Sequence, residues 1–217
     1  MTKTPILFII FNRLDTVRQS FEPIRRYKPE KLYIAADGPR KNKEGEVKRC
    51  QEVREWVLGN IDWECKVSTL FRDENVGCGQ GPKQAIDWLF ANEEMGVILE
   101  DDCVASDSFF EFACQMLVKY RDDKRISIIC GSNFDKNGDF RVKDADYFLS
   151  VVPYTWGWAT WRRNWEDYEF DAVVIDDSMM ASMREMSIRE RVERMVYNDS
   201  DCFIRDKYVK RKRVFSR

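Results

Sequence analysis

The chain has 217 residues, 44% of them hydrophobic and 34% charged, with a formal net charge of −2. That suits one globular domain, or one domain with an appendage, and argues against a general nucleic-acid binder. Histidine is absent altogether, which excludes Ser-His-Asp and Cys-His nucleophile systems, histidine-ligated zinc and a histidine general base; chemistry falls to carboxylates, Lys, Arg, Tyr, backbone dipoles or a hard metal ion.

In chain order, the apolar run Ile6–Phe11 ("ILFIIF") reads as a strand covered on both faces. A helix follows, with Val17, Phe21 and Ile24 at helical spacing, Asp15 as N-cap, and Pro23 expected to kink or shorten it. "KLYIAA" (Lys31–Ala36) is a second strand ending in "DGP". Residues 44–58 form a helix whose apolar stripe is Val47, Cys50, Val53 and Val57. "CKVSTLF" (Cys65–Phe71) is a third strand. The glycine-rich "ENVGCGQG" leads to a helix starting near Pro82, a favoured first-turn position. "GVILED" is a fourth strand, and Ser108 with Glu111 suggests a capping box for the helix after it. "RISIIC" (Arg125–Cys130) and "YFLSVV" (Tyr147–Val152) read as strands five and six, and from about residue 158 the pattern turns helical and charged.

Strand–helix alternation predicts an α/β protein with a mostly parallel sheet and helices on both faces. The ligand site of such a sheet lies beyond the carboxyl ends of its strands. The seven cysteines form no CxxC pair and are expected to be reduced, small core residues of a cytoplasmic protein. The longest apolar runs are too short to cross a bilayer, and the N-terminus lacks the pattern of a signal peptide.

The rim sequences carry the candidate chemistry. Glu100, Asp101 and Asp102 end the fourth strand. In extended chain Glu100 and Asp102 share one face and Asp101 takes the other. Oxygen ligands without His or Cys suit Mg2+ or Mn2+, held by one or two carboxylates plus substrate phosphates; equally, these acids would favour the dipole of the following helix. Asp37 in "AADGPR" is turn chemistry on its own, and at the rim it is also an acceptor for a base or ribose. Asn12 and Arg13 end strand one, where Arg13 suits a diphosphate or a carboxylate. The loop with Gly77, Gly79 and Gly81 is neither a Walker A loop nor a dinucleotide fingerprint; it offers backbone N–H groups to an anion, with Lys83 in reach of a phosphate. Trp158, Trp161 and Trp165 fall at helical spacing, while the indoles of "TWGW" suit sugar stacking or a locked loop. The basic end "RDKYVKRKRVFSR" reads first as a solvated tail and second as a contact for anionic lipid.

Taken together, "PILFIIFNR", "KLYIAADGPR", "NVGCGQGPKQAIDWLF", "VILEDDCVASDSFFEF" and "PYTWGWATWRRNW" resemble, in order, nucleotide-diphospho-sugar transferases of the GT-A fold. The resemblance is to small bacterial glycosyltransferases and to the N-acetylglucosaminyltransferase I group, over roughly residues 5–170. It implies a three-layer GT-A-like core over 1–170, followed by a helical, basic acceptor-side segment over 171–217. It also implies transfer of a sugar from a UDP-type donor to a glycan or lipid-linked acceptor with Mn2+ or Mg2+, at the cytoplasmic face of a membrane if the tail meets lipid. By resemblance Asp102 is the metal ligand, with Glu100 and Asp101 its partners toward the ribose and the metal's waters. Asn12, Arg13, Asp37 and Lys83 match donor-contacting positions, and Trp156, Gly157 and Trp158 the loop before the acceptor-side helix. The family's catalytic base lies further downstream, where Asp201 stands nearest, with Asp176 and Asp177 as other candidates. The alternatives are a non-catalytic nucleotide-sugar-binding module with an incomplete acceptor site and, more weakly, a sugar-phosphate nucleotidyltransferase. The latter expects a glycine-rich, Arg-containing first loop, where strand one here runs into "FNRLD".

Overall fold

The computed structural model describes residues 3–132, 146–150 and 153–168. Strands β1 (Ile6–Ile10), β2 (Lys31–Ala36), β3 (Lys66–Phe71) and β4 (Met95–Glu100) run parallel, while β6 (Trp158–Trp161) lies antiparallel to β4 and β5 (Ile129–Cys130) antiparallel to β6. Their order is β3-β2-β1-β4-β6-β5. The helices are α1 (Leu14–Tyr27), α2 (Glu46–Gly59), α3 (Gly77–Asn92), α4 (Asp107–Lys119) and α5 (Arg162–Trp165).

The period-two alternation of strand side chains builds two cores. Ile6, Phe8 and Ile10, with Ile34 and Leu99, face α1, α2 and α4. Leu7, Tyr33 and Ile98 face α3, where Ala85, Ile86 and Leu89 meet them. Burial on both faces is why β1 reads as a continuous apolar run, and it makes the expected three-layer α/β architecture. Among the described residues no helix is long and apolar enough to cross a membrane.

Several local expectations are corrected. α1 continues through Pro23 to Tyr27, with Arg13 rather than Asp15 at its N-cap; burial of Phe21, Pro23 and Ile24 holds it. Val47 is exposed, and the stripe of α2 instead runs Glu46, Cys50, Val53, Val57. α3 begins five residues before Pro82, at Gly77. Ser106, not Ser108, is the N-cap of α4, and its side chain makes no capping hydrogen bond. β5 keeps only the last two residues of the expected strand, and Tyr147–Ser150 lie outside any strand. The sixth strand is Trp158–Trp161, where a helix was expected. An i, i+3 spacing that puts two indoles on one helix face puts them on opposite faces of a strand. Trp158 accordingly joins the α3-side core and Trp161 the α4-side core, where its Nε1 donates to Leu117 O at 3.0 Å. Of the described cysteines Cys50 is buried and Cys78 exposed, and all are free thiols.

Candidate functional site

The rim is set by register. β1 and β4 are neighbours, with Ile9 opposite Glu100, and Ile10 of β1 lies opposite Ala36 of β2. The segments leaving these strands, Asn12–Arg13, Asp37–Gly38 and Asp101–Asp102, therefore emerge on one edge. From β1 the chain winds outward to β2 and β3, then returns to place β4 on the other side. That reversal is the switch point at which such sheets bind ligands.

Arg13 and the acids meet there. Arg13 Nη2 donates to Asp101 Oδ1 and, at 3.0 Å, to Asp102 Oδ2. The two carboxylates raise the pKa of the guanidinium further. The acidic turn is pinned by Cys103 N–H donating to Glu100 O at 3.0 Å and by Ser20 Oγ of α1 donating to Asp101 O at 2.9 Å. Asp101 is 5% exposed and its Oδ2 is buried without a hydrogen-bond partner. Burial pushes its carboxyl up, against the pull of Arg13. Glu100 sits at the exposed strand end, yet the protein around its carboxyl raises its pKa, and Asp102 and Asp101 add to the shift. Asp102 turns outward, half exposed, into a cleft of about 710 Å3 that is also lined by Val104, Phe109, Ser132, Trp156 and Gly157.

The cleft's far wall depends on two glycines. Gly131 N–H donates to Gly157 O at 2.8 Å, and a Cβ on Gly131 would stand 2.7 Å from the Phe109 ring and 2.8 Å from that carbonyl. Gly157 has φ +71°, a conformation that glycine adopts without the penalty of a side chain. This turn presents Trp156, 68% exposed, to the cleft, and Ser132 Oγ holds it by donating to Trp156 O at 2.8 Å. Trp158, expected in the same loop, is a buried strand residue on the α3 side of the sheet.

Asp37 and Lys83 are engaged elsewhere. Asp37 accepts from Gly38 N, Asn75 Nδ2, Val76 N and Gly77 N at 2.9–3.0 Å. It therefore caps the N-terminus of α3, where the glycine-rich loop was expected to receive an external anion; the protein's own carboxylate takes that place. Gly81 passes beneath it, where a Cβ would lie 3.6 Å from Asp37 Oδ2. Lys83 Nζ donates to Asp87 at 2.7 Å, and Asp87 also accepts from Trp165 Nε1 at 2.8 Å. Asp87 thus ties α3 to α5, and Lys83 is held by it within α3. Asp201, Asp176, Asp177 and the basic end lie outside the described residues.

One node was not anticipated. Glu46, with no exposed surface, accepts from Arg40 N at 2.7 Å, from Arg40 Nη2 at 2.5 Å and from Asn12 Nδ2 at 2.8 Å. Arg40 holds the Glu46 carboxyl down at about 2. The node joins the segments after β1 and β2 and so shapes the rim. Its signal was present in the sequence: Glu46 stands four residues before Cys50 and seven before Val53, on the buried stripe.

The donor set suits a hard divalent cation. Among the described residues no three Cys, Asp or Glu groups converge into a ready-made metal cage. Asp102 offers an outward carboxylate, and the buried Asp101 oxygen lacks a donor. One or two carboxylates completed by substrate phosphates is how Mg2+ is commonly held, so the residues present fit such an ion.

By sequence, the chain matches no protein-family model, and no curated protein matches it. By structure it is similar to the mannosyltransferase PcManGT from Pyrobaculum calidifontis, solved in complex with GDP-Man and Mn2+, with TM-score 0.56 and 13% identity over 85% of this chain and 52% of that one. The chain thus spans about half the length of that enzyme. A 4-diphosphocytidyl-2C-methyl-D-erythritol synthase from Anaerococcus prevotii is more loosely similar, with TM-score 0.48 and 12% identity over 85% of each chain. The fold is an α/β fold of the GT-A type.

Proposed function

We propose that this chain is a metal-dependent glycosyltransferase that moves a sugar from a nucleoside-diphosphate donor, UDP in the first instance, to a glycan or glycolipid acceptor. The observation that carries this is the meeting of Arg13 with Asp101 and Asp102 at the β1/β4 switch point, opening onto the cleft lined by Asp102 and Trp156. The likeness to a GT-A-type fold supports it, while kinship to the N-acetylglucosaminyltransferase I group rests on the sequence motifs alone.

Breaking the bond between sugar and nucleotide leaves negative charge on the diphosphate. A divalent cation bound there supplies Lewis-acid stabilisation of that charge. Asp102 would hold the cation; Glu100 would face the ribose side, and Asp101 orients the turn from its buried position. Asn12 and Arg13 would flank the nucleotide, with Asp37 bracing the neighbouring α3 N-terminus. Trp156 and Gly157 border the sugar and acceptor side, where an exposed indole suits the apolar face of a sugar ring. An inverting transfer needs a carboxylate to take the acceptor's hydroxyl proton, the role assigned to Asp201.

A calorimetric titration of the full chain with UDP and then GDP, each with Mn2+ and with chelator, tests the proposal. Metal-dependent binding of one nucleotide is expected, and Asp102→Ala should abolish it while the circular dichroism spectrum stays unchanged. Equal affinity in that variant would remove the metal role from Asp102. A non-catalytic donor-binding module is the second reading. Asp102 is the carboxylate among the described lining of the cleft, and holding a cation would occupy it. Mn2+-dependent donor hydrolysis or transfer would reject that alternative.

A further inference from the structure

We propose that Arg13 is the resident counter-cation of the acidic rim and is exchanged at Asp102 for the divalent cation. On this view it competes with the cation and ties its binding to the arrival of the nucleoside diphosphate. The inference rests on the donor site proposed above and adds a residue that governs the order in which that site fills.

Three features on the rim point to exchange. A single nitrogen, Nη2, serves both Asp101 and Asp102, so the guanidinium bridges the acids through one corner instead of gripping either with its two-pronged fork. The two links also differ in environment. Asp101 is buried, and an unpaired charge there is costly, whereas Asp102 and Arg13 are each about half exposed. An exposed pair of this kind contributes little and is readily given up. Independently of the acids' clustering, the buried Asp101 Oδ2 has no donor. Arg13 therefore leaves one carboxylate oxygen of Asp101 without a donor.

The charge count gives the direction. Glu100, Asp101 and Asp102 with Arg13 in place present less negative charge than the acids alone, so a lone cation meets both a weakened field and a competitor for Asp102. When a diphosphate arrives, Arg13 can leave Asp102 and present its fork to phosphate oxygens, a geometry guanidinium matches well. Asp102 and the phosphates would then together hold the cation. The contrast within the same rim is Arg40, which holds Glu46 through its backbone N–H, Nε and Nη2 and is built to stay.

The test reads bound Mn2+ directly, by electron paramagnetic resonance of the full chain titrated with MnCl2 in the absence of nucleotide. Wild type is expected to bind weakly. Arg13→Gln should bind about tenfold more tightly, since removing one nearby positive charge is worth about that much at a partly exposed site. Arg13→Lys should stay close to wild type, because it keeps the charge. A second measurement uses wild type alone: phenylglyoxal modification of Arg13, followed by peptide mass spectrometry, should run faster at saturating Mn2+ than with chelator, as the link to Asp102 is given up. If Arg13→Gln binds Mn2+ no better than wild type, or saturating Mn2+ leaves Arg13 modification unchanged, while Asp102→Ala still abolishes Mn2+ binding, exchange is overturned and the donor site stands. If Mn2+ binding ignores Asp102 even with UDP or GDP present, the donor site itself fails and exchange fails with it.

Discussion

Glu46 illustrates what a single side chain decides at this rim. Its carboxylate is fully enclosed, receives Arg40 and Asn12, and is held at about 2 against an ordinary 4.5. A depressed carboxyl adds stability above its unfolded pKa and loses it as the pH falls toward the folded value. Wild type should thus lose this contribution between about 4.5 and 2. Glu46→Gln lacks it throughout. In thermal melts the wild type should lead the variant at neutral pH, and the gap should close as the pH drops through that window. Asp37 works by geometry: its carboxylate caps α3 through Val76 and Gly77 N–H. Asp37→Ala should cost about 1–2 kcal/mol in urea denaturation, the usual range for a lost helix cap. Asp37 was legible as a rim acid, but its partners lie 38 to 40 residues away, a pairing that only the close approach of β2 and α3 creates.

At the scale of elements, the continuous apolar runs of β1, β2 and β4 were readable because strands covered on both faces need no alternation. β6 was not. Four residues, "WATW", carry too little pattern to separate a strand from a helix, and the tryptophan spacing favoured the helix. What makes it a strand is the unfilled edge of β4, with which Gly96 pairs Thr160 and Ile98 pairs Trp158. The same pairing brings Gly157 against Gly131 and so builds the cleft wall. Gly131→Ala would drive a methyl group into the Phe109 ring and the Gly157 carbonyl. Because backbone cannot step aside cheaply, a loss of about 1–3 kcal/mol is expected from overpacking. Chemical denaturation would measure that loss, and quenching of tryptophan fluorescence would report the accompanying change around Trp156.

Across the whole molecule, site and fold are linked by topology. The strand order reverses between β1 and β4, so the sequences that leave those strands, nearly ninety residues apart, share one edge and meet as Arg13 with Asp101 and Asp102. Donor binding should therefore depend on the integrity of that edge as well as on Asp102. In the titrations proposed above, Asp37→Ala is expected to weaken nucleotide binding less than Asp102→Ala does, since it acts through the wall and not on the ligand. By itself the sequence determined the class of fold, the first four strands, their intervening helices and the acids on the rim, because local periodicity and strand-end chemistry are properties of neighbouring residues. The tertiary structure alone decided which charges pair, that Asp37 caps α3, that Lys83 pairs with the Asp87 that meets Trp165 of α5, which partners Glu46 receives, and that Trp158 and Trp161 part to opposite faces. Those outcomes depend on which distant segments the sheet order brings together, and no spacing along the chain encodes that directly.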